Sequence, residues 1–324
     1  MNLSVLRSKG FRTALGVCAL ALIVAPLALS WGMNAHNVVS HEATQLLSGD
    51  LKGFFEANMA SLLAFSNEPD IVSRTDPSEG PNHYLDLDMF DSPPFDRILA
   101  DEDEFRRRFG AKAAEGGRLP WAAADRYKAL VEALRARDYE KILTEAGYLS
   151  HYVADSTMPL HATKNYKGQF SGNVIFPGDG PERHVHVRFE IGMVDMHLDE
   201  IEEKVSKRAG TLRELGDPAA VVLENLKKSY EHINAVLEAD RARLKPGETP
   251  SPEYYRALYN EVGWIAADQL TLATRDVAGL WQRAWLEAGS PKLPAAEVVL
   301  SRKAAQRRAA ERGGPGDNET ENTN

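Results

Sequence analysis

Between residues 149 and 161 the chain reads Leu-Ser-His-Tyr-Val-Ala-Asp-Ser-Thr-Met-Pro-Leu-His, and this stretch constrains the fold more than any other. His151 and Asp155 are four residues apart, so on a helix they share one face and can converge on a single ion. Pro159 is expected to stop that helix, and His161 can then reach a neighbouring site from the next segment. Taken alone the pair reads equally as a solvated helix face, so the rest of the chain has to decide.

Residues 1–12 carry Arg7, Lys9 and Arg12 with no acid, and Thr13 to Leu29 is almost wholly apolar. Ala28 and Ser30 stand at the small-residue positions before Trp31. This pattern predicts a signal peptide over residues 1–30, cut after Ser30, and an exported protein, periplasmic or secreted. The apolar run is short for a membrane span. Cleavage would remove Cys18, the only cysteine, leaving neither thiol nor disulfide. An exported domain of that kind needs a good core or bound metal to hold it, and the 294 residues from Trp31 onward suffice for one sizeable core. Loss of Arg7, Lys9 and Arg12 also takes the formal net charge from −9 to −12. That argues against a protein held to nucleic acid by a basic surface, but not against a metal site that meets one phosphate locally.

Apolar spacing predicts an all-α fold: a single, mostly helical domain over residues 31–299 with long loops between helices. Helices are expected over Ala35–Leu47, Leu51–Phe65, from Pro120 through Leu134, and over Tyr139–Ala154. Arg183–Lys207, Leu212–Ala239 and Pro252–Ala288 follow, the last with a core stripe through Leu258, Val262, Ile265, Leu270, Ala273, Val277, Leu280 and Trp281. Asn67–Asp101, broken by Pro69, Pro77, Pro81, Pro93 and Pro94, reads as a loop system that can line a site. Gly168–Pro181 reads as a second loop, and residues 300–324 as a disordered tail.

Candidate ligands recur through this frame. His36 lies on the first helix, Asp70 and His83 flank the proline-rich loop, and Asp86 and Asp88 follow. His186 and Glu190 repeat the spacing of His151 and Asp155. Two such pairs on different helices bring four side chains to one groove, and a mixed set of imidazoles and carboxylates suits zinc better than calcium or magnesium. His41, His184, His197 and His232 read equally as surface histidines.

Four blocks in order, Trp31-Gly32-Met33-Asn34-Ala35-His36, Asn82 to Asp88, Leu149 to His161 and His186-Val187-Arg188-Phe189-Glu190, resemble the signature of the zinc-dependent phospholipase C and S1/P1 nuclease superfamily. The resemblance implies three zinc ions in one cleft. Asp70, His83, His151 and Asp155 would surround the first, and His161, His186 and Glu190 the second. The third would take His36, a shared oxygen of Asp155, and the free α-amine and carbonyl oxygen of Trp31, a chelate that an amine tied into a peptide bond cannot form.

The implied chemistry is phosphate-ester hydrolysis, in which zinc neutralises nonbridging oxygens and lowers the pKa of the attacking water. Asp70 is the candidate to orient that water or serve as its base. The substrate is either a phospholipid head group, with transient membrane-surface contact, or a nucleotide or single-stranded nucleic acid without a stable complex. Choline-specific relatives carry a carboxylate, a Tyr and a Phe where this chain has Asn34, Ile71 and Gly80, so a cation pocket of that build is not expected. Glu190 resembles the phospholipase branch, whereas Trp31-Gly32 and Gly172-Asn173 resemble the nuclease branch. Tyr84, Phe90, Tyr166 and Phe170 are candidates for stacking a base. The preferred expectation is a phospholipase C-like phosphodiesterase, with a single-strand nuclease or 3′-nucleotidase as alternative and a metal-stabilised extracellular binding module as a third reading. No G-x-S-x-G elbow supports serine catalysis.

Overall fold

The computed structural model describes residues 31–301 except 179 and 181, together with residues 303, 304 and 306. The expected signal peptide with Cys18, and most of the expected tail, lie outside the described residues. The chain is all-α, with α1 (Met33–Leu46), α2 (Gly49–Ala57), α3 (Met59–Ser73), α4 (Leu87–Phe90), α5 (Glu102–Phe109), α6 (Leu119–Ala136) and α7 (Tyr139–Asp155) in its first half. The second half holds α8 (Val185–Val187), α9 (Val194–Met196), α10 (Leu198–Arg208), α11 (Pro218–Tyr230), α12 (Ile233–Arg243) and α13 (Pro252–Glu287). Short 3₁₀ turns cover Gly80–His83, Gly110–Ala114 and Pro159–Ala162. Among the described residues the sole strand-like feature is an isolated bridge between Leu85 and Gly117.

The long helix α13 organises the core. Pro252 at its start needs no amide partner, and Ser251 caps it by accepting from the Tyr254 amide. Its apolar stripe is buried throughout, and α1, α6, α7, α10 and α12 pack against it. Trp281 is fully buried, donates its indole N–H to the Ala146 carbonyl of α7 at 3.1 Å, and packs on Phe55. Burying one such side chain is worth about 1.5–3 kcal/mol or more, which fixes α7 against α13.

Several segments depart from the expected pattern, each for a local reason. Asn67–Asp101 is not loop from its start: α3 continues through Pro69 to Ser73, the absent proline N–H leaving one carbonyl of the preceding turn without its helical bond. Leu51–Phe65 is divided at Asn58, whose amide donates to the Phe54 and Ala296 carbonyls and whose oxygen accepts from the Val298 amide. Leu212–Ala239 starts later than expected, at Pro218, where the Asp217 side chain caps α11 by accepting from the Ala220 amide, and it is divided where α11 ends and α12 begins. The Arg183–Lys207 run is broken into α8, a π-helical Arg188–Met193, α9 and α10. Pro159 does not stop α7: the helix ends at Asp155, where the Ser156 and Thr157 hydroxyls donate to the Val153 and Ala154 carbonyls.

Candidate metal centre

The site begins at a glycine. A Cβ on Gly147 of α7 would lie 2.6 Å from the Phe65 carbonyl carbon, so only glycine lets α3 and α7 close to this separation. One turn on, His151 Nδ1 lies 2.7 Å from the Ser66 carbonyl oxygen. A carbonyl can only accept, so Nδ1 carries the proton and Nε2 presents its lone pair inward. Nε2 lies 3.2 Å from Asp155 Oδ2, 3.0 Å from His83 Nδ1 and 3.8 Å from Asp70 Oδ1.

Asp155, fully buried at the end of α7, is the hub. Oδ2 faces His83 Nδ1 at 3.0 Å and His151, while Oδ1 faces His36 Nε2 at 3.5 Å and His161 Nδ1 at 3.9 Å. Burial alone would raise its carboxyl, yet the surrounding imidazoles, His151 and His161 foremost, hold it well below the usual carboxylate range. His36, in the first turn of α1, stacks on His151 with ring centroids 4.0 Å apart; burial and then His151 push its pKa well down.

His83 closes the 3₁₀ turn that follows α3, and Asp70 sits in the last turn of α3, its Oδ1 3.7 Å from His83 Nδ1. Burial would lower the His83 pKa, but the carboxylates of Asp155 and Glu79 carry it up to about 10. In a metal-free cluster His83 therefore holds the proton that serves as local counter-charge. Glu79 is a member that sequence reasoning missed. It accepts the Tyr152 hydroxyl and places Oε1 3.6 Å from His83 Nε2, the ring nitrogen turned away from the cluster. The spacing of Glu79 and His83, four apart in a turn, was its signal. The Ser66 carbonyl has no signal in side-chain identity at all.

The second group lies across Asp155. His161, on the turn after α7, places Nε2 3.0 Å from His186 Nε2, and His186 Nε2 is 3.0 Å from Glu190 Oε2. The pair His186 and Glu190 spans the junction of α8 with the π-helical segment, so the widened turn, not a regular α-helix, sets their convergence. Glu190 is fully buried and neither of its oxygens accepts a hydrogen bond; burial, then Asp70 and Asp155, push its pKa well up. Between the two residues Arg188 is fully buried and bidentate to Asp240, with Nε at 2.7 Å and Nη2 at 2.8 Å. It also donates to the Glu182 and Val174 carbonyls. Asp240 further accepts from Asn173, so this strut ties the 168–182 loop to the second group.

One donor atom from each of three residues comes within 4.8 Å of the others in three sets: Asp70, His83 and His151; His36, His151 and Asp155; and His161, His186 and Glu190. Tetrahedral zinc with bonds of about 2.0–2.1 Å needs donors roughly 3.3 Å apart, the range these contacts span. Together with the buried Glu190 and Asp155 oxygens that accept no hydrogen bond, the donor chemistry fits zinc. Trp31 is fully buried beside the same helix end, donating its indole N–H to the Ala154 carbonyl at 3.0 Å and packing on Phe189.

The remaining candidates divide. Asp88 accepts from the Thr163 hydroxyl and the Lys164 amide, bracing the chain just beyond His161. Asp86 is mostly buried, and its pKa is pushed up to about 7 by burial and by Asp88, against the pull of Lys164. Tyr84 stands beside it, and the Tyr166 ring packs edge-on to His186 with centroids 5.7 Å apart. Phe90 is not a stacking platform: it is packed among Phe105 and Phe109. Phe170 is exposed. His197 stacks on Tyr259 and His232 packs edge-on to Trp264.

Comparison with known proteins adds two findings. The chain is similar to a probable serine protease of Bradyrhizobium tropiciagri, 22% identical over 261 residues, covering 68% of this chain and 33% of that protein. It therefore spans about a third of the length of that relative. A profile described as zinc dependent phospholipase C matches residues 35–235, more than half of the chain and the region that holds every clustered donor above, so the protein belongs to the zinc-dependent phospholipase C family.

Proposed function

We propose that the protein hydrolyses phosphate diesters as an exported phospholipase C-like enzyme whose cleft holds three zinc ions. The observation that carries this reading is Asp155, one buried carboxylate set among four imidazoles with each oxygen turned to a different pair. Such a group is placed to bridge ions. We assign Asp70, His83, His151 and Asp155 to the first ion, His161, His186 and Glu190 to the second, and His36, Asp155 and the Trp31 amine and carbonyl to the third. Bound zinc would supply charge neutralisation of the phosphate and acidification of a water molecule.

The protein's own groups then have distinct tasks. The Asp70 side chain, 13% exposed, is the most open of the three cluster carboxylates, Asp155 and Glu190 being sealed. It is therefore the one that can orient the attacking water or accept its proton. Glu79 and the Ser66 carbonyl fix the ring orientations of His83 and His151. A choline-type cation pocket is not supported at the first helix, because Asn34 gives its amide to Asp195.

A nucleotide substrate is the second reading, favoured by one observation. Tyr84, Tyr166 and Asp86 stand together at the His186 side of the cluster, and a carboxyl with a pKa near 7 beside two rings can donate or accept a hydrogen bond to a base edge. The test compares mature protein on phosphatidylcholine, other phospholipids, single-stranded DNA, RNA and 3′-nucleotides, with Asp155→Ala as control. Lipid turnover abolished by Asp155→Ala is expected; cleavage confined to nucleic acids would replace the lipid reading with the second, and zinc binding without turnover of any diester would leave a binding module. No helix among the described residues is long and apolar enough to cross a membrane. Export is inferred from residues 1–30, and amino-terminal sequencing of the protein recovered outside the cytoplasm should begin at Trp31.

A further inference from the structure

Outside the cleft, a second kind of donor cluster forms where α1 meets α10. His36 faces Asp155, but His41 and Glu42 follow five and six residues later. At about 100° per residue they are rotated by roughly 140° and 240° from it, onto the side of α1 that packs against α10. There they meet Glu202 of α10, and one donor atom from each of His41, Glu42 and Glu202 lies within 4.8 Å of the others. His41 Nδ1 is 3.0 Å from Glu42 Oε1.

Three features set this group apart from an ordinary charged surface. Glu42 is 8% exposed, so its carboxylate has given up most of its water. Among the described residues neither Glu42 nor Glu202 is paired with a lysine or arginine, although lysine and arginine pairs brace α10 at Glu203 and Arg208. Two carboxylates brought together across a helix seam repel unless a cation stands between them. The imidazole is 44% exposed, so an ion held here keeps open positions for water. One nitrogen and two carboxylate oxygens form a donor set suited to zinc; calcium would need six to eight oxygens.

We propose that His41, Glu42 and Glu202 form a zinc site separate from the cleft, which clamps the helix carrying His36 to α10. The proposal does not depend on the catalytic reading, and its test is kept apart from activity. Protein with its cleft loaded is dialysed against limiting zinc, then titrated with Zn²⁺ by calorimetry, and bound metal is counted after gel filtration. Wild type is expected to take up one more ion per chain than Glu202→Gln or His41→Ala. In wild-type protein, where folding is not in question, carbethoxylation of His41 followed by peptide mass spectrometry should slow by at least threefold on adding zinc. Equal metal counts in wild type and both variants, or a His41 modification rate indifferent to zinc, would overturn the proposal.

Discussion

Replacing Asp240 by alanine tests whether the strut behind the second metal group holds the fold as its geometry implies. The carboxylate accepts two bonds from Arg188, at 2.7 and 2.8 Å, one from Asn173 at 2.7 Å, and one from Tyr254. Arg188 and Asp240 are both fully buried. Removing one partner of such a pair strands the other charge, at about 3–5 kcal/mol. That is a large part of the ~5–15 kcal/mol by which a domain is stable. Part of the loss is retained in Arg188→Met/Asp240→Leu, because the Val174 and Glu182 carbonyls lose the Arg188 donor, each worth ~1–3 kcal/mol when buried, while the Asn173 amide keeps the Leu237 carbonyl. The assay is urea unfolding followed by far-ultraviolet circular dichroism at fixed zinc, with the slope checked for constancy. Because Arg188 lies between His186 and Glu190, metal analysis of folded Asp240→Ala should show loss confined to the ion we assign to those residues. A destabilisation under about 1 kcal/mol, at unchanged slope, would refute the reasoning.

Three further outcomes are expected. Gly147→Ala forces a methyl onto the Phe65 backbone, and overpacking of this kind costs about 1–3 kcal/mol; it should also weaken zinc binding by spreading α3 from His151, which competition with a chromophoric chelator would read. Asp86 has a pKa raised to about 7 from an ordinary 3.8, so its contribution is fully present below about 3.8 and lost as pH rises through about 7. Asp86→Asn should thus gain roughly 2–4 kcal/mol over wild type at pH 8 and nothing at pH 4, as read by urea unfolding; a gain equal at both values would contradict the assignment. Finally, His83 with a pKa near 10 holds a proton in the metal-free protein at neutral pH, and burial favours the protonated form of Glu190. Zinc uptake must expel such protons, so apparent affinity should climb with pH, and calorimetry in buffers of different ionisation enthalpy should show net proton release at pH 7.

The sequence made helices legible wherever apolar spacing was long and uninterrupted, as in α6, α7 and α13, which lie within a residue or two of expectation. It misled where punctuation residues did not punctuate. Pro69 has the look of a loop residue although α3 runs through it, and Pro159 follows an ending that the Ser156 and Thr157 hydroxyls make. The π-helical turn at Arg188–Met193 was invisible because its apolar spacing is that of an ordinary helix, and its first residue, Arg188, binds Asp240 52 residues away. The clustered donors were legible as residue types at helical spacing; their convergence is what the structure adds. Glu79 carried a signal in its spacing from His83, whereas the His41 group and the Ser66 carbonyl carried none, since they depend on a helix far along the chain and on main chain.

The hydrogen bond from His151 to the Ser66 carbonyl has a consequence for how this centre tolerates genetic change. Because the acceptor is main chain, no side-chain replacement at position 66 deletes it, and Ser66 itself donates elsewhere, to the Leu63 carbonyl. The vulnerable position is instead Gly147, a residue with no functional group and no place in any donor set. Variant libraries aimed at substrate choice can therefore randomise Tyr84 and Tyr166 themselves while leaving His83, His186 and the α3–α7 seam fixed. A deep mutational scan should show Ser66, which is fully buried, accepting small residues such as alanine and Gly147 as nearly invariant.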